Sequence, residues 1–524
     1  MTAPGSGWDD AADVAVVGYG AAGAVAAIEA HDAGAEVLLL EKMPHPGGLS
    51  IVSAGGIRVA MDAERAFEYL QATCGGRTPL PVLRALADGM VRIPEYLASL
   101  ARGSGATVTT TPALGNYPFP GTESLAYCEV ARAPELDNAT EYHAVPGIRG
   151  GCKLFSVLEH NVLSRGIRLV MPAAAERLIA GENGEVQGVS VRIGGRVRRI
   201  KARRAVILAC GGFEHDEEMK RQYLQAMPVL TGAYRGNTGD GIRMAQGVGA
   251  ALWHMWHYHG GYGLKHSDPA YPFGFPIKLL PIWTPERPGS DSYLGVPEPA
   301  TAGKGAVPVA WIVVDQSGQR FMDEYPPYPS DTGVRPFDWF DSKVQRFPRI
   351  PGFVVFDEDG RRMYPIARSV QNDPEYRYAW SADNLKEVDN GILERAESLA
   401  ALAVKMGVEP AALEASVARW NRFVALGRDE DFGRRADTLV PIRTAPFYFG
   451  RAYPVVTNTQ GGPEHDTLQR VLNPFGEPIA RLYAAGEMGS VFGHLYMSGG
   501  NLAECFVGGW TAARHAAGLR NWDG

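Results

Sequence analysis

The stretch that decides the fold is DVAVVGYGAAGAVAAIEAHDAGAEVLLLE, residues 13–41. It contains an apolar strand-like run, three glycines in the GxGxxG spacing, a helix-like run over residues 24–33, and a second apolar run that ends at Glu41. In such a unit the first glycine allows a tight turn and the second lets the backbone approach a pyrophosphate. The third permits close packing of helix on strand, and the terminal acid accepts a hydrogen bond from a ribose hydroxyl. The stretch therefore predicts a Rossmann-type βαβ unit that binds a dinucleotide.

The segment after Glu41 indicates which dinucleotide. It reads KMPHPGGLSIVSAGGI, residues 42–57, and two glycine pairs bracket small polar residues. Backbone that lies against an extended ligand favours such residues. This pattern favours FAD over NAD.

A second informative stretch is LYAAGEMGSVFGHLYMSGGNL, residues 482–502. A glycine-rich turn entering a helix directs free backbone N–H groups and a positive dipole end at an electron-rich ligand edge, and reduced flavin is such a ligand. Tyr496 and Ser498 come directly before the turn. We expect their hydroxyls to face whatever lies against the isoalloxazine ring.

Five segments in the same order resemble the flavoprotein family that contains fumarate reductases, succinate dehydrogenases and 3-ketosteroid dehydrogenases. They are residues 42–57, 205–213 (AVILACGGF), 237–241 (NTGDG), 429–434 (DEDFGR) and 482–502. Succinate dehydrogenases carry a histidine for covalent flavin attachment after the double glycine, and residues 50–56 contain none. The resemblance therefore implies noncovalent FAD. The residues expected at the cofactor are Gly18, Gly20, Ala22, Gly23, Glu41, Lys42, Gly48, Ser50, Ser53, Gly55, Gly56, Ala209, Gly211, Asp240, Glu487, Gly500, Asn501 and Leu502.

Composition limits the function classes. With 524 residues and 45% hydrophobic content, the chain can form two to four domains. The net charge of −7, without a basic block, makes nucleic acid an unexpected partner. We see no export signal or membrane span and expect a cytoplasmic protein whose five scattered cysteines are free thiols. The histidines of WHMWHYHG, residues 253–260, are interleaved with aromatics, so we expect no metal site there.

The chain order predicts an α/β fold with an insertion. We assign residues 1–279 and 448–524 to a Rossmann-type FAD-binding domain, whose parallel sheet makes a small antiparallel excursion over residues 167–208. Residues 280–447 are assigned to an inserted α+β catalytic or capping domain, with strands in VAWIVVD and FVVFD and a helix from near Pro410. The chain is expected to return to the first domain near Pro446.

The turn before the last helix separates members of the family. In fumarate reductases the corresponding stretch resembles N-R-x-G-G-N, whereas here residues 496–501 read YMSGGN without a cation. The Tyr-x-x-x-Gly spacing resembles 3-ketosteroid dehydrogenases, which implies that the Tyr496 hydroxyl and the Gly500 N–H polarise a C3 carbonyl. The Tyr-x-Ser pattern completed by Ser498 resembles the Δ4-(5α) branch most.

A second match is QRFMDEYPPY, residues 319–328. It resembles the RRFxNE segment and following tyrosine of ketosteroid dehydrogenases, which implies that Tyr328 is the base, with Tyr325 as a nearby substitute. We expect Arg320 and Glu324 to organise this loop as a hydrogen-bonded pair. The alternative is that both tyrosines only pack in a proline loop.

These residues predict dehydrogenation next to a ketone. Removing a C–H beside a carbonyl requires donors to the developing enolate oxygen, and the neighbouring carbon then gives hydride to flavin N5. A tyrosine base with a pKa of about 10 costs about 4 kcal/mol at pH 7 unless its environment helps, and Ser498 is a candidate relay. We predict trans-elimination of hydrogen across C4–C5 of a 5α-3-ketosteroid, with electrons leaving to a separate acceptor.

Alternatives remain for the substrate. The same family could act on another apolar cyclic enone or ketone, or on a carboxylate as fumarate reductases do, and a flavin-binding electron carrier without turnover is the outside possibility. A ketosteroid pocket should be large and apolar. The aromatic residues Trp253, Trp256, Trp283, Trp311, Trp339, Phe273 and Phe275 either line it or belong to the core.

Overall fold

The computed structural model describes residues 7–278, 292–293, 296–297, 308–326 and 328–523. Its strands in chain order are β1 (Asp10–Val17), β2 (Val37–Leu40), β3 (Ile57–Ala60), β4 (Thr107–Pro112), β5 (Leu125–Arg132), β6 (Glu141–Tyr142), β7 (Val145–Pro146), β8 (Arg168–Val170), β9 (Ala174–Ala180), β10 (Val186–Ile193), β11 (Arg196–Leu208), β12 (Leu230–Thr231), β13 (Leu252–Trp253), β14 (Tyr258–His259), β15 (Tyr262–Lys265), β16 (Gly274–Pro276), β17 (Ser292–Tyr293), β18 (Val296–Pro297), β19 (Ile312–Val314), β20 (Gly352–Asp357), β21 (Leu393–Ala396), β22 (Phe447–Val456), β23 (Asn458–Thr459), β24 (Gly462–Pro463), β25 (Arg470–Leu472) and β26 (Pro478–Ala484).

The helices connect and cover these strands. In chain order they are α1 (Ala21–Asp32), α2 (Gly48–Val52), α3 (Ala63–Cys74), α4 (Leu80–Met90), α5 (Ile93–Ser104), α6 (Gly150–Ser164), α7 (Glu217–Tyr223), α8 (Asp240–Gln246), α9 (Glu358–Met363), α10 (Leu385–Asp389), α11 (Leu399–Met406), α12 (Pro410–Leu426) and α13 (Gly500–Ala517). Within the described part of the chain, no helix combines the length and apolar composition that crossing a bilayer requires.

The first sheet is the Rossmann-type sheet that the sequence predicts. Its strands follow the order β25-β26-β11-β1-β2-β8, and β1 pairs in parallel with both β11 and β2. The antiparallel hairpin β9–β10 pairs with β11 and forms the predicted excursion. Eight of the twelve residues of helix α1 are alanine, glycine or valine, and all of its residues from Ala21 to Ala30 are buried between the sheet and α13.

The second sheet forms the capping part. Its order is β16-β15-β22-β20-β19, and β12 and β21 also pair with β22. Strand β22 pairs antiparallel with β15, β20 and β21. The predicted helix is α12, whose Leu413, Val417 and Trp420 are buried against β19 and β20. The chain is therefore an α/β protein with a second, mainly antiparallel unit.

The chain passes between the two sheets at positions that differ from the expected domain boundaries at residues 279 and 447. Strand β22 begins directly after Pro446 but is the central strand of the second sheet, and the chain rejoins the first sheet only at β25. Strands β12, β15 and β16, before residue 279, also belong to the second sheet. The expected return near Pro446 is therefore wrong for the sheets, because β22 finds its partners across long sequence separations. The domain bounds 1–279, 280–447 and 448–524 stay predictions.

Candidate active site

The first βα turn is built so closely that only glycine fits. Gly18 has a φ of +103°, and a Cβ there would lie 2.3 Å from the carbonyl oxygen of Ala209. A Cβ on Gly23 would lie 1.8 Å from the carbonyl oxygen of Gly18. The turn before α1 therefore presents backbone that no side chain covers. The first N–H groups of α1 point out of the N-terminal end of the helix.

Glu41 lies at the end of β2, as the motif requires. Its Oε2 accepts the Tyr19 N–H at 2.8 Å and its Oε1 accepts the Met43 N–H at 2.8 Å. Burial raises the pKa of Glu41, against the effect of these hydrogen bonds. Beside it, Lys42 Nζ lies 2.5 Å from Asp240 Oδ2. The backbone contacts hold the Glu41 carboxylate at the wall of the cavity that follows the glycine turn.

Two adjoining cavities form one elongated site. The smaller, about 80 Å³, runs along the glycine turn and Glu41, and the larger, about 420 Å³, extends between the two sheets. They share the lining residues Leu49, Ser50, Glu487 and Cys505. An extended dinucleotide fits this shape, since one end meets bare backbone and a carboxylate and the other meets the N-terminus of α13. Sixteen of the predicted cofactor residues line the cavities; Gly23 packs behind the first turn and Gly500 lies behind the second.

The Gly500 amide is not available as predicted. Its N–H donates to the Met497 carbonyl oxygen at 2.7 Å, and a Cβ on Gly500 would meet the Phe492 ring at 2.4 Å. The tight turn, in which Gly499 has a φ of +78°, closes this local hydrogen bond. Among the neighbouring residues, Gly499, Asn501 and Leu502 line the larger cavity. A carbonyl donor role for the Gly500 N–H is therefore not supported in this conformation.

Tyr496 lines the larger cavity and is held on several sides. Its backbone N–H donates to Asp331 Oδ2 at 2.9 Å, and its phenol oxygen accepts the Asn501 N–H at 3.4 Å. Its ring lies between those of His259 and Phe492, with centroid separations of 4.4 Å and 5.4 Å. These contacts hold the Tyr496 ring at the wall of the cavity.

Asp331 anchors this wall as a buried carboxylate. It also accepts the Tyr117 hydroxyl, and its Oδ1 lies 3.3 Å from His257 Nε2. Burial alone would raise the pKa of Asp331, but the hydrogen bond and charge of His257, with Arg335 nearby, outweigh it and lower the pKa to about 2. The side chain is therefore an anion that orders the backbone at Tyr496.

His259 lines the same cavity and connects to Tyr328. Its Nε2 lies 2.9 Å from the Tyr328 hydroxyl, and its Nδ1 lies 2.8 Å from Asn458 Oδ1. Burial lowers the pKa of His259 to about 4, so the ring is neutral at pH 7. A neutral imidazole has one donor and one acceptor nitrogen, and the neighbours decide which is which.

The neighbours of His259 fix that choice. Asn501 Nδ2 donates to Glu504 Oε2 at 2.8 Å, so Asn501 presents its oxygen to the Asn458 Nδ2. Asn458 then presents its own oxygen to His259 Nδ1, which must carry the hydrogen. The lone pair of His259 Nε2 is left facing the Tyr328 hydroxyl, which donates to it.

The other predicted catalytic residues are divided between the cavity and the core. Ser498 lines the larger cavity, and its backbone N–H donates to Asn116 Oδ1 at 2.8 Å. Tyr328 is fully buried and is not among the lining residues, although Pro329 and Ser330 are. Tyr325 lies in the apolar core of the second sheet. The structure therefore brings Tyr328 to His259 and Tyr496, and it separates Tyr325 from them.

The loop below Tyr328 is held by the predicted ion pair. Arg320 Nη2 lies 2.7 Å from Glu324 Oε2, and Arg320 Nη1 lies 2.9 Å from Asp429 Oδ2. Arg434 Nη1 lies 3.1 Å from the same Glu324 oxygen. The pair between Arg320 and Glu324 is confirmed, and the DEDFGR segment supplies both further members of the network.

Two buried carboxylates lie beside the cofactor groove. Asn237 Nδ2 donates to Glu214 Oε1 at 2.7 Å and to Glu487 Oε2 at 3.3 Å. Burial raises the pKa of both acids, and the repulsion of Glu214 raises that of Glu487 further. At pH 7 the pair therefore retains a proton where the two cavities meet.

The lining of the larger cavity is less aromatic and more cationic than expected. Trp253, Trp311, Phe273 and Phe275 are buried in the core, Trp339 is exposed, and none of these or Trp256 lines the cavity; Trp283 lies outside the described residues. Arg149, Lys278 and Arg368 do line it. The turn at residues 495–501 has no cation, but the cavity beyond it does.

Sequence reasoning missed His259, Asn458 and Asp331. The histidines of residues 253–260 were considered only as metal ligands, and each instead has its own partner: His254 Nδ1 meets the Ser490 carbonyl at 2.8 Å. No group of metal-ligating side chains is found within the described ranges. The sequence shows only that these histidines alternate with aromatic residues, and it does not place them near residue 496.

Comparisons with known proteins show the family to which the chain belongs. The family model described as FAD binding domain matches residues 13–261 and 300–502. The 3-oxosteroid 1-dehydrogenase of Mycobacterium tuberculosis (strain ATCC 25618 / H37Rv) is 28% identical over 96% of this chain and 98% of its own. The 4-oxocyclohexanecarboxylate 2-dehydrogenase of Sinomonas cyclohexanicum is 28% identical over 97% of this chain and 93% of its own.

A solved structure shows the same fold. The 3-ketosteroid delta1-dehydrogenase from Sterolibacterium denitrificans, in complex with 1,4-androstadiene-3,17-dione, matches with a TM-score of 0.78 and 24% identity over 97% of this chain and 99% of that one. The resemblance inferred from the motifs is thereby confirmed, and FAD is the cofactor of the site.

Proposed function

The chain belongs to the FAD binding domain family of flavoproteins, and on that premise we propose that it dehydrogenates a saturated carbon–carbon bond next to a ketone. The observation that carries the proposal is the placement of Tyr496 and His259 on one cavity wall, with Tyr328 hydrogen-bonded behind His259. Bound FAD supplies the two-electron acceptor for hydride. The remaining steps belong to side chains of the protein.

Tyr496 is the proposed carbonyl donor. Its hydroxyl donates to the ketone oxygen and stabilises the negative charge that develops there when the adjacent C–H loses its proton. The N-terminus of α13, at Asn501 and Leu502, adds a positive dipole end at the same wall. The Gly500 N–H is left out, since it donates to Met497.

Tyr328 and His259 together form the proposed proton acceptor. Once the Tyr328 side chain turns toward the cavity that Pro329 and Ser330 line, its oxygen takes the proton from the carbon next to the ketone, while the Tyr328 proton passes to His259 Nε2. A phenol with a pKa of about 10 is a poor base alone. The hydrogen bond to His259 Nε2 places an acceptor for the phenol proton as it moves, although an imidazole whose pKa is lowered to about 4 is itself a weak base. Burial keeps His259 neutral, because it lowers the pKa to about 4. Tyr325 is no longer proposed, as it lies in the core of the second sheet.

We propose a 5α-3-ketosteroid as substrate and C4–C5 as the bond that is oxidised. The relative from Mycobacterium tuberculosis is a 3-oxosteroid 1-dehydrogenase, which supports a ketosteroid and favours C1–C2 as the competing position. The C4–C5 position rests on the Tyr-x-Ser pattern of Tyr496 and Ser498. Both residues line the larger cavity.

A smaller cyclic ketone is the second candidate. It is favoured by the relative from Sinomonas cyclohexanicum, whose name gives 4-oxocyclohexanecarboxylate as its substrate, and by the cations of the larger cavity. In both cases FAD is held noncovalently and a separate electron acceptor reoxidises it.

The test is reduction of bound FAD without oxygen. Purified holoenzyme is mixed anaerobically with three compounds in turn: a 5α-3-ketosteroid, its Δ4 analogue and a monocyclic ketone. In the Δ4 analogue C4–C5 is already a double bond, so only C1–C2 next to the ketone can be dehydrogenated. Loss of the flavin absorbance together with a new enone in the product supports the proposal, and the position of the new double bond separates C4–C5 from C1–C2. If no ketone reduces the flavin, the enzyme is not a ketone dehydrogenase.

A further inference from the structure

Arg149 is a cation in the substrate half of the site that the proposed reaction does not use. It precedes α6, is half-buried and lines the larger cavity, which Tyr496 also lines. Its Nη1 donates to Asn372 Oδ1 at 3.0 Å and its Nη2 donates to Gln371 Oε1 at 3.1 Å. Both partners are neutral amides. Among the described residues no carboxylate pairs with Arg149.

Burial, opposed only by the nearby Cys152, is the main influence on this guanidinium. It lowers the pKa of Arg149, and no nearby carboxylate among the described residues opposes it. A charge taken out of water without a partner is costly, so such a residue is usually stabilised by a ligand of opposite sign. An arginine fork matches a carboxylate particularly well.

The rest of the cavity does not supply the missing negative charge. Two described carboxylates line the cavity, Glu324 and Glu487. Glu324 is paired with Arg320 and Arg434. Glu487 shares a proton with Glu214, as the raised pKa values of Glu487 and Glu214 indicate. Lys278 and Arg368 also line the cavity. An anionic group in this cavity would therefore be attracted by the wall on which Arg149 lies.

The backbone next to Arg149 and the backbone next to Tyr496 both pack on one short segment. A Cβ on Gly150, the residue after Arg149, would be 1.9 Å from the Ala54 carbonyl oxygen, and a Cβ on Gly499 would be 2.6 Å from the Gly56 carbonyl oxygen. The short segment 54–56 thus touches both the Arg149 side and the Tyr496 side of the cavity. Arg149 and Tyr496 line this same cavity, so a ligand that spans it meets both.

We propose that the substrate is a cyclic ketone that carries a carboxylate, and that Arg149 binds this carboxylate while Tyr496 holds the ketone. This rests on the proposed function for the ketone end. A monocyclic keto acid and a steroid with a carboxylate side chain share the required chemistry.

The test compares each acid with its methyl ester, which keeps the shape and removes the charge. The first pair is 4-oxocyclohexanecarboxylate and its ester, and the second is a 3-oxo-5α-steroid with a carboxylate side chain and its ester. We expect wild-type kcat/KM to favour the acid by about 10- to 100-fold in at least one pair, as a charge-assisted hydrogen bond allows. The Arg149→Gln variant should lose that preference, chiefly through KM, and Arg149→Lys should restore part of it.

A matched control removes a partner of Arg149 and keeps its charge. Gln371→Ala should retain the preference for the acid, since the guanidinium is still present. Equal kcat/KM for acid and ester in the wild type would overturn the proposal. An equal loss of kcat/KM for acid and ester in Arg149→Gln would also overturn the proposal. That result would mean that Arg149 only holds the start of α6 against the loop at residues 371–372.

A second readout does not depend on dehydrogenation. Cyclohexanecarboxylate has no ketone, and its binding to the holoenzyme can be measured by calorimetry. Binding that is lost in Arg149→Gln and weakened by salt supports the carboxylate site even if no ketone is oxidised. Undetectable binding to the wild type at millimolar concentration, together with no acid preference in turnover, would contradict it.

Discussion

His259 is the residue whose neighbours decide the proposed proton transfer. The orientation of its ring follows from Glu504 through Asn501 and Asn458, so that Nε2 accepts from the Tyr328 hydroxyl. The glycine turn beside it is local in sequence, whereas Asn458 and Tyr328 lie 199 and 69 residues away from His259. A single sequence therefore predicts Tyr496 and Ser498 from their spacing to the turn but gives no sign of this chain of hydrogen bonds.

Replacing His259 should change the pH dependence of the reaction. In His259→Gln the Tyr328 phenol must lose its proton to solvent, so we expect kcat to fall by about 100-fold near pH 7 and to rise with pH toward the phenol pKa of about 10. The wild type should vary less over the same range, because His259, with its pKa lowered to about 4, is already neutral. Within the hydrogen-bond chain that orients it, Glu504, whose pKa burial raises to about 7, titrates in this range. The measurement is kcat between about pH 6 and about pH 9.

His254→Gln is the matched control. His254 is buried in the same segment, and its Nδ1 meets the Ser490 carbonyl while its Nε2 meets the Arg77 carbonyl. Its replacement should leave the shape of the pH profile unchanged. An unaltered profile in His259→Gln would remove His259 from the proton transfer.

At the scale of elements, the turn between β1 and α1 sets the cofactor end of the site. The sequence predicts it well because strand, glycines, helix and Glu41 are contiguous and their close contacts follow from the spacing. The opposite case is β22, which was expected to return to the first sheet and instead pairs with β15, β20 and β21. Pairing of that kind depends on partners scattered over the chain, which periodicity does not reveal.

The glycine turn gives a prediction for cofactor binding. In Gly23→Ala the new Cβ would lie 1.8 Å from the Gly18 carbonyl oxygen, so the turn must open. Strain of about 1–3 kcal/mol corresponds to roughly 5- to 150-fold weaker FAD binding. The ratio of flavin to protein absorbance after purification measures the loss. Gly518→Ala, where the nearest atom lies 3.5 Å away, should keep the wild-type ratio.

The ion network under the Tyr328 loop gives a prediction for stability. Burial would raise the pKa of Glu324, but Arg320 and Arg434 outweigh it and lower the pKa, so the carboxylate is charged. Glu324→Gln removes a charged carboxylate from its two buried partners, Arg320 and Arg434. We expect the free energy of unfolding to fall by about 3 kcal/mol. Denaturant unfolding measures this loss.

An exposed pair of similar geometry is the control. Arg451 Nη1 lies 2.7 Å from Glu394 Oε1 between β22 and β21, and both side chains reach solvent. Glu394→Gln should cost less than about 1 kcal/mol. If both variants lost the same stability, the buried network would have no special role in holding the loop.

At the scale of the whole molecule, the two sheets enclose one groove. Its cofactor half is formed by the first sheet and α13, and its substrate half adds residues of the second sheet and the loops around it. The family and the cofactor could be predicted from motif order. The cationic lining could not, because Arg149, Lys278 and Arg368 come from separate segments that only the fold brings together.

The mode of FAD attachment is tested on the whole protein. Since residues 50–56 contain no histidine, we expect FAD to leave the protein on acid precipitation and to appear in the supernatant. Excess FAD should then raise the unfolding temperature of the apoprotein, with a stabilisation of about 2.7 kcal/mol at a hundred times Kd. Flavin that stays in the precipitated protein would show a covalent bond.

The position of the Tyr496 hydroxyl is tested most directly by anaerobic single turnover, in which the decay of FAD absorbance follows the mixing of holoenzyme with a saturated cyclic ketone. Tyr496→Phe should keep its FAD and reduce it about 100- to 1000-fold more slowly than the wild type, because the developing enolate loses its donor. Tyr483→Phe, at a buried tyrosine whose hydroxyl contacts His515 away from the cavity, should reduce its FAD at the wild-type rate. Reduction of the Tyr496→Phe flavin at the rate of the wild type would contradict a ketone held by Tyr496.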